Sequence, residues 1–167
     1  MREQLTKKDV ERIEKEIEYR KLVVRKEAIE AVKEARAHGD LSENFEYHAA
    51  KKDKNKNESR IRYLERMLKT ADIISEDSAA DEVGLNNTVT LYFEEDDECE
   101  DFRLVTSIRG NSLKNLISIE SPLGKAVLGK KKGERVYVAI SETAGYYVEI
   151  RGIEKTGDDG SDTIRSF

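Results

Sequence analysis

Before Gly39 the chain contains neither glycine nor proline, and after it none appears again until Gly84. Backbone free of helix breakers over such lengths, and rich in Ala, Glu, Lys and Arg, is committed to long helices. In the first stretch apolar side chains recur at Val10, Ile13, Ile17, Val24, Ala28, Ala31 and Ala35. Steps of three, four or seven describe one face of a helix, not the alternation of a strand. Thr6-Lys7-Lys8-Asp9 has the form of a capping box at its start, and His38-Gly39 supplies a left-handed stop. A second helix is expected from around Asp40–Ser42 to about Ala71, with Ile61, Leu64, Leu68 and Ala71 at heptad spacing. Carried backwards, that register passes through Asn57, Lys54, Ala50 and Tyr47, so the seam is apolar near the base and polar in its middle. Two helices of this kind joined by a tight turn make an antiparallel hairpin of roughly 45 Å at ~1.5 Å per residue. Its distal end has little to bury and is expected to project as an arm.

Composition narrows the remaining classes. No apolar run reaches the ~20 residues of a membrane span, and no signal-peptide stretch opens the chain. A single cysteine, Cys99, cannot form a disulfide within the chain and suits a reducing compartment. A cytoplasmic location and no membrane partner are therefore expected. Charge divides the chain in two: residues 1–75 carry 19 Lys+Arg against 16 Asp+Glu, and residues 76–167 carry 11 against 19. The acidic half is a poor nucleic-acid face, because phosphate contacts need cations. Lys51, Lys52, Lys54, Lys56 and Arg60 form a basic run opposed only by Asp53 and Glu58. Such a run is either a solvated helix face or a hold on a nucleic-acid backbone.

The C-terminal half reads as an α+β domain of mostly antiparallel strands. Residues 76–84, acidic and rich in small side chains, are expected to link residues 1–75 to a domain over 85–155, with a mobile tail over 156–167. Strands are predicted at Thr88–Phe93, Phe102–Ile108, Leu116–Ile119, Arg135–Ile140 and Tyr146–Ile150. An acidic loop, Glu94–Asp101, joins the first two. Ser121-Pro122 opens a short helix that Gly129 stops. Phe93, Phe102, Tyr137, Tyr146 and Tyr147 are expected in the core and in cross-strand pairs, and none is assigned to a site.

The densest chemistry lies at the hairpin turn, from His38 to Tyr47. Asp40 and Glu43 stand three apart at a helix start. They can cap the helix, Asp40 as N-cap and Glu43 as its partner. They can also bind Mg²⁺, which takes one or two carboxylates and keeps several waters. Two carboxylates on a thin arm make a weak site that another macromolecule must complete. His38, Asp40, Glu43 and His48 do not make a zinc set, since no H-E-x-x-H or cysteine pair supports one. Nothing in the sequence has the layout of an autonomous hydrolase.

At these residues the chain resembles a known family. Ala35-Arg36-Ala37-His38-Gly39-Asp40-Leu41-Ser42-Glu43-Asn44-Phe45-Glu46-Tyr47-His48-Ala49-Ala50-Lys51 is similar to the tip of the Gre transcript cleavage factors of bacterial RNA polymerase. Lys114-Asn115-Leu116-Ile117-Ser118, Ser121-Pro122-Leu123 and Leu128-Gly129-Lys130 continue the likeness in the family's order. The acids that interrupt the basic run favour the less basic, GreA-like subclass. The resemblance implies a coiled-coil hairpin that enters the polymerase secondary channel and an FKBP-like C-terminal domain that docks at its rim. It implies that Asp40 and Glu43 hold a Mg²⁺ ion shared with the polymerase, which then hydrolyses backtracked RNA. The factor itself would be a monomer and not an enzyme. Arg36, Lys51 and Lys52 would steady the nascent RNA 3′ end, and Glu120, Ser121 and Pro122 would dock on polymerase. Two other readings share the fold: a channel regulator that inhibits polymerase, and a prolyl isomerase, which would need an aromatic-lined apolar pocket. Three departures from the family pattern stand out: Phe45 at the tip, Arg109-Gly110-Asn111-Ser112 in place of an acidic segment, and the heavily acidic 94–101 loop.

Overall fold

The computed structural model describes residues 2–39 and 44–166. They form two compact units, one holding residues 2–3 and 9–72 and the other residues 4–8 and 73–166.

The first unit is the helical hairpin. Its first arm runs as α1 (Lys7–Tyr19), a π-helical turn (Arg20–Val24) and α2 (Arg25–Ala37). The return arm is α3 (Phe45–Thr70), against which α2 packs. The first arm is thus not the uninterrupted helix that its composition suggests, because the π turn inserts a residue and shifts the inward face. Beyond that turn Ala31 is exposed and Val32 is half-buried in its stead. Ile13, Ile17, Ile61, Leu64 and Met67 are buried near the base, whereas toward the turn, among the described residues, the buried apolar side chains are Ala35 and Tyr47.

Between these ends the seam is polar. Glu16 Oε2 accepts from Arg20 Nε at 2.8 Å and from Arg60 Nε at 2.9 Å. Arg20 Nη1 donates to Asn57 Oδ1 at 3.0 Å, and Arg25 grips Glu58 through two bonds of 3.0 and 2.8 Å. Burial pushes the Glu16 carboxyl upward, but hydrogen bonds from Arg60 and Arg20, with their charges, outweigh it and hold the pKa below the ordinary value.

The second unit contains a five-stranded sheet. Two-residue strands β1 (Gln4–Leu5) and β2 (Asp72–Ile73) pair with each other. The main sheet is built from β3 (Thr88–Phe93), β4 (Glu98–Val105), β5 (Leu116–Ser118), β6 (Arg135–Ala139) and β7 (Gly145–Glu154), in spatial order β5-β4-β3-β7-β6. All neighbours are antiparallel except β4 and β5. Alternation along the strands sends Val89, Leu91, Val136, Val138, Val148 and Ile150 into one core, joined by Val127 of α4 (Pro122–Val127).

Three expectations need correction. The acidic run is not all loop: Glu98–Asp101 pair with β3, their backbones engaged while their side chains face solvent. Residues 76–84 are not a free linker. Val83 is buried in the core, and its N–H donates to Lys130 O at 2.8 Å. Residues 156–166, beyond the last strand, are not a mobile tail. Arg109, only 1% exposed, donates to Asn86 Oδ1 at 2.7 Å and Asp162 Oδ2 at 3.0 Å and stands 3.8 Å from Asp158 Oδ2. Arg103 also bonds Asp162, Arg165 N–H donates to Ile108 O, and Asn87 Nδ2 donates to Thr156 O. A buried guanidinium demands carboxylates, and this segment supplies them.

A chain ending at Lys155 strips Arg109 of both carboxylates. Leaving one half of a buried ion pair costs about 3–5 kcal/mol; a urea midpoint unchanged by the truncation would contradict the strap. For Glu16, a depressed folded pKa means stability that is present above the unfolded value, about 4.3, and lost as pH falls through the lower folded one. Acid unfolding followed by circular dichroism should therefore be shallower in Glu16→Gln below about pH 4.3.

Candidate functional site

Asp40 and Glu43, the central site residues of the sequence reading, lie outside the described residues. What is described are the two stems from which 40–43 spring. His38 ends α2 with φ −87°, and Gly39 turns to φ +142°, a conformation that other residues rarely adopt. The N-cap of α3 is Asn44, not Asp40. Its Oδ1 accepts from Tyr47 N–H at 3.0 Å, and its Nδ2 donates to Ala35 O at 2.7 Å. One side chain thereby satisfies an orphan N–H of α3 and a last-turn carbonyl of α2, clamping the stems together.

Around this clamp the sequence-predicted cations are partly gathered. The Arg36 guanidinium lies 5.7 Å from the Tyr47 ring centroid. A hydrogen bond from Arg36, aided by the charges of Lys51 and Arg36, outweighs burial and lowers the Tyr47 pKa. Arg36 therefore has Tyr47 as its aromatic anchor, and Lys51 follows one turn further along α3. Lys52 is exposed next to Lys51. His38 Nδ1 sits 3.2 Å from Glu46 Oε2, and His48 packs edge-on to Tyr47 at 5.4 Å. Arg60 does not join the basic face: it is 6% exposed and turned into the seam against Glu16. Two residues escaped the sequence reading. Asn44 was masked by the stronger capping pattern of Asp40 and Glu43, and Phe45, noted only as a departure, is 88% exposed. Among the described residues no cluster of His, Cys, Asp or Glu could hold a metal.

The second candidate surface is Glu120, Ser121 and Pro122. Ser121 is the N-cap of α4, accepting from Gly124 N–H at 3.1 Å and donating to Ser118 O at 2.6 Å. Glu120 accepts from Ser107 Oγ, and Pro122 is exposed. Gly124 is required here, because a Cβ would fall 2.0 Å from Ser118 O. The segment is a rigid strand-to-helix corner that holds an exposed proline and a half-buried carboxylate. Phe93 stacks with Tyr146 and meets Phe102 edge-on beside the core, while Tyr137 and Tyr147 face each other across β6 and β7.

A long helical hairpin whose stems Asn44 clamps, followed by a sheet domain with an exposed proline at its strand-to-helix corner, defines a bipartite class of protein; among the described residues no helix is long and apolar enough to cross a bilayer. A family model for "Transcription elongation factor, N-terminal" matches residues 3–73, and one for "Transcription elongation factor, GreA/GreB, C-term" matches residues 76–155. The chain belongs to the GreA/GreB family of transcription elongation factors. It is 45% identical over 137 residues to transcription elongation factor GreA of Caldanaerobacter subterraneus, covering 81% of this chain and 87% of that one. With GreA of Streptococcus gordonii it shares 42% identity over 155 residues, covering 91% and 95%. Among solved structures, the GreA factor homolog 1 (Gfh1) protein of Thermus thermophilus aligns at 28% identity and a TM-score of 0.42, covering 92% of this chain and 98% of that one.

Asn44→Ala removes the clamp at a typical cost of about 1 kcal/mol. The Tyr47 amide should then exchange with solvent about fivefold faster. An unchanged rate would mean that the cap is idle.

Proposed function

We propose that this protein binds bacterial RNA polymerase, inserts its hairpin into the secondary channel and stimulates the polymerase's own cleavage of backtracked RNA. The observation that carries the reading is the Asn44 clamp. It fixes both stems that flank Asp40 and Glu43, and Arg36 lies over Tyr47 beside it, with Lys51 one turn further along α3.

The donor set fits Mg²⁺: carboxylate oxygens are its preferred ligands, and one or two suffice when the rest come from water and a partner. Bound there, the ion supplies charge neutralisation and a more acidic attacking water. Asp40 and Glu43 would hold it. The chain's other residues position and bind. Asn44 keeps the stems on either side of Asp40 and Glu43 from splaying. Arg36 and Lys51 offer cations to the phosphates of the extruded RNA, with Lys52 adding a third. On this reading the factor has no hydrolytic centre of its own. Glu120, Ser121 and Pro122 form the docking corner, held by Ser118, Ser107 and the close approach of Gly124.

In halted, backtracked elongation complexes with Mg²⁺ and end-labelled RNA, the wild-type protein should accelerate cleavage. Asp40→Ala/Glu43→Ala should abolish the acceleration while still binding polymerase. Binding without acceleration by the wild-type protein would replace this reading with an inhibitory channel regulator.

A further inference from the structure

The polar cluster in the middle of the hairpin has a feature that an ordinary helix pair lacks. In a regular α-helix each interior carbonyl is engaged by the N–H four residues on. In the π turn the Arg20 carbonyl takes the N–H of Arg25, five residues on. It also accepts from the opposite helix, where Asn57 Nδ2 lies at 3.3 Å. Asn57 Oδ1 in return accepts from Arg20 Nη1 at 3.0 Å. One residue of α3 therefore reads both the backbone and the side chain of one residue of the first arm. Asn57 is 4% exposed, so neither bond is easily replaced by water.

The cluster also sits where it is needed. On its base side the buried apolar side chains are Ile13, Ile17, Ile61, Leu64 and Met67; on its tip side, among the described residues, only Ala35 and Tyr47 are buried. Small and sparse side chains do not distinguish one register from the next, and a buried asparagine is the known device for doing so. Sliding α3 by a turn would bury Asn57 against carbonyls already engaged and leave the Glu16–Arg20–Arg60 group without its third member. The neighbouring pairs Arg25–Glu58 and Lys21–Glu65 favour the same register, but they are more exposed.

We propose that Asn57 and Arg20 are positioning residues: through the π turn they fix the register of the hairpin and so the place of its tip. The functional half of this claim rests on the reading of Asp40 and Glu43 as donated ligands; the register half does not. To test it, Cys99→Ser is combined with spin labels at the exposed positions of Glu30→Cys and Asp53→Cys, and the interlabel distance is measured in the full chain.

The native sequence should give one narrow distance. Asn57→Leu should add a second population displaced by about 5 Å, one helical turn. Its urea midpoint should hold or rise, because a buried asparagine that sets register does so at a cost in stability. Stimulated cleavage at saturating factor should fall at least tenfold. A merely stabilising cluster would lower the midpoint and leave a single distance, and that result would overturn the proposal. Asn57→Gln, which keeps donor and acceptor, should retain the single distance, and a split there would equally overturn it. If the native protein stimulates no cleavage, the reading of the tip fails while the distances still decide the register.

Discussion

An antiparallel helix pair with apolar side chains along only half of its seam cannot define its own alignment by hydrophobic burial. That constraint governs the hairpin. Near the base, Ile13, Ile17, Ile61, Leu64 and Met67 supply burial. From there to the turn the helices are held by directional contacts instead: the Glu16–Arg20–Arg60–Asn57 cluster, the Arg25–Glu58 pair and, at the end, the Asn44 clamp. Hydrogen bonds and ion pairs of this kind add little net stability, but each is satisfied in one alignment only. If, as proposed, the arm presents two carboxylates to a separate active centre, it needs that property more than it needs stability.

The sheet unit solves its own problem in a comparable way. A single buried guanidinium, Arg109, gathers Asn86 and the carboxylates of Asp158 and Asp162. It thereby draws a segment that lies beyond the residues matched by the family models back onto the domain. The short 3₁₀ turn that carries Arg109 also carries Ser107, which bonds Glu120 and Ser118 at the proposed docking corner. One turn thus holds both the terminal strap and the corner.

Much of this was legible in the sequence. Long runs without Gly or Pro, three-four apolar spacing and strand alternation gave the hairpin, the strand positions and the Ser121-Pro122 helix start. The missing parts were those in which side chains from distant positions meet. The π turn has no signature in periodicity, because Ile17 and Val24 fit a continuous helix equally well. Arg60 looked like one more cation of a basic face, and only Glu16 on the other arm shows that it points inward. The strap escaped because a polar, glycine-bearing terminus has the composition of a mobile tail, and its partner Arg109 lies some fifty residues away. At the tip, the family pattern drew attention to Asp40 and Glu43 and away from Asn44 beside them.

The central claim is that the tip supplies ligands to an ion in the polymerase active centre. It is tested most directly by the Mg²⁺ dependence of RNA cleavage in backtracked complexes, measured with and without the factor. Donated carboxylates should lower the half-saturating Mg²⁺ concentration at least tenfold, an effect that Asp40→Asn/Glu43→Gln should remove. Faster cleavage with an unchanged Mg²⁺ requirement would contradict the account, because the factor would then act on the polymerase without touching its metal.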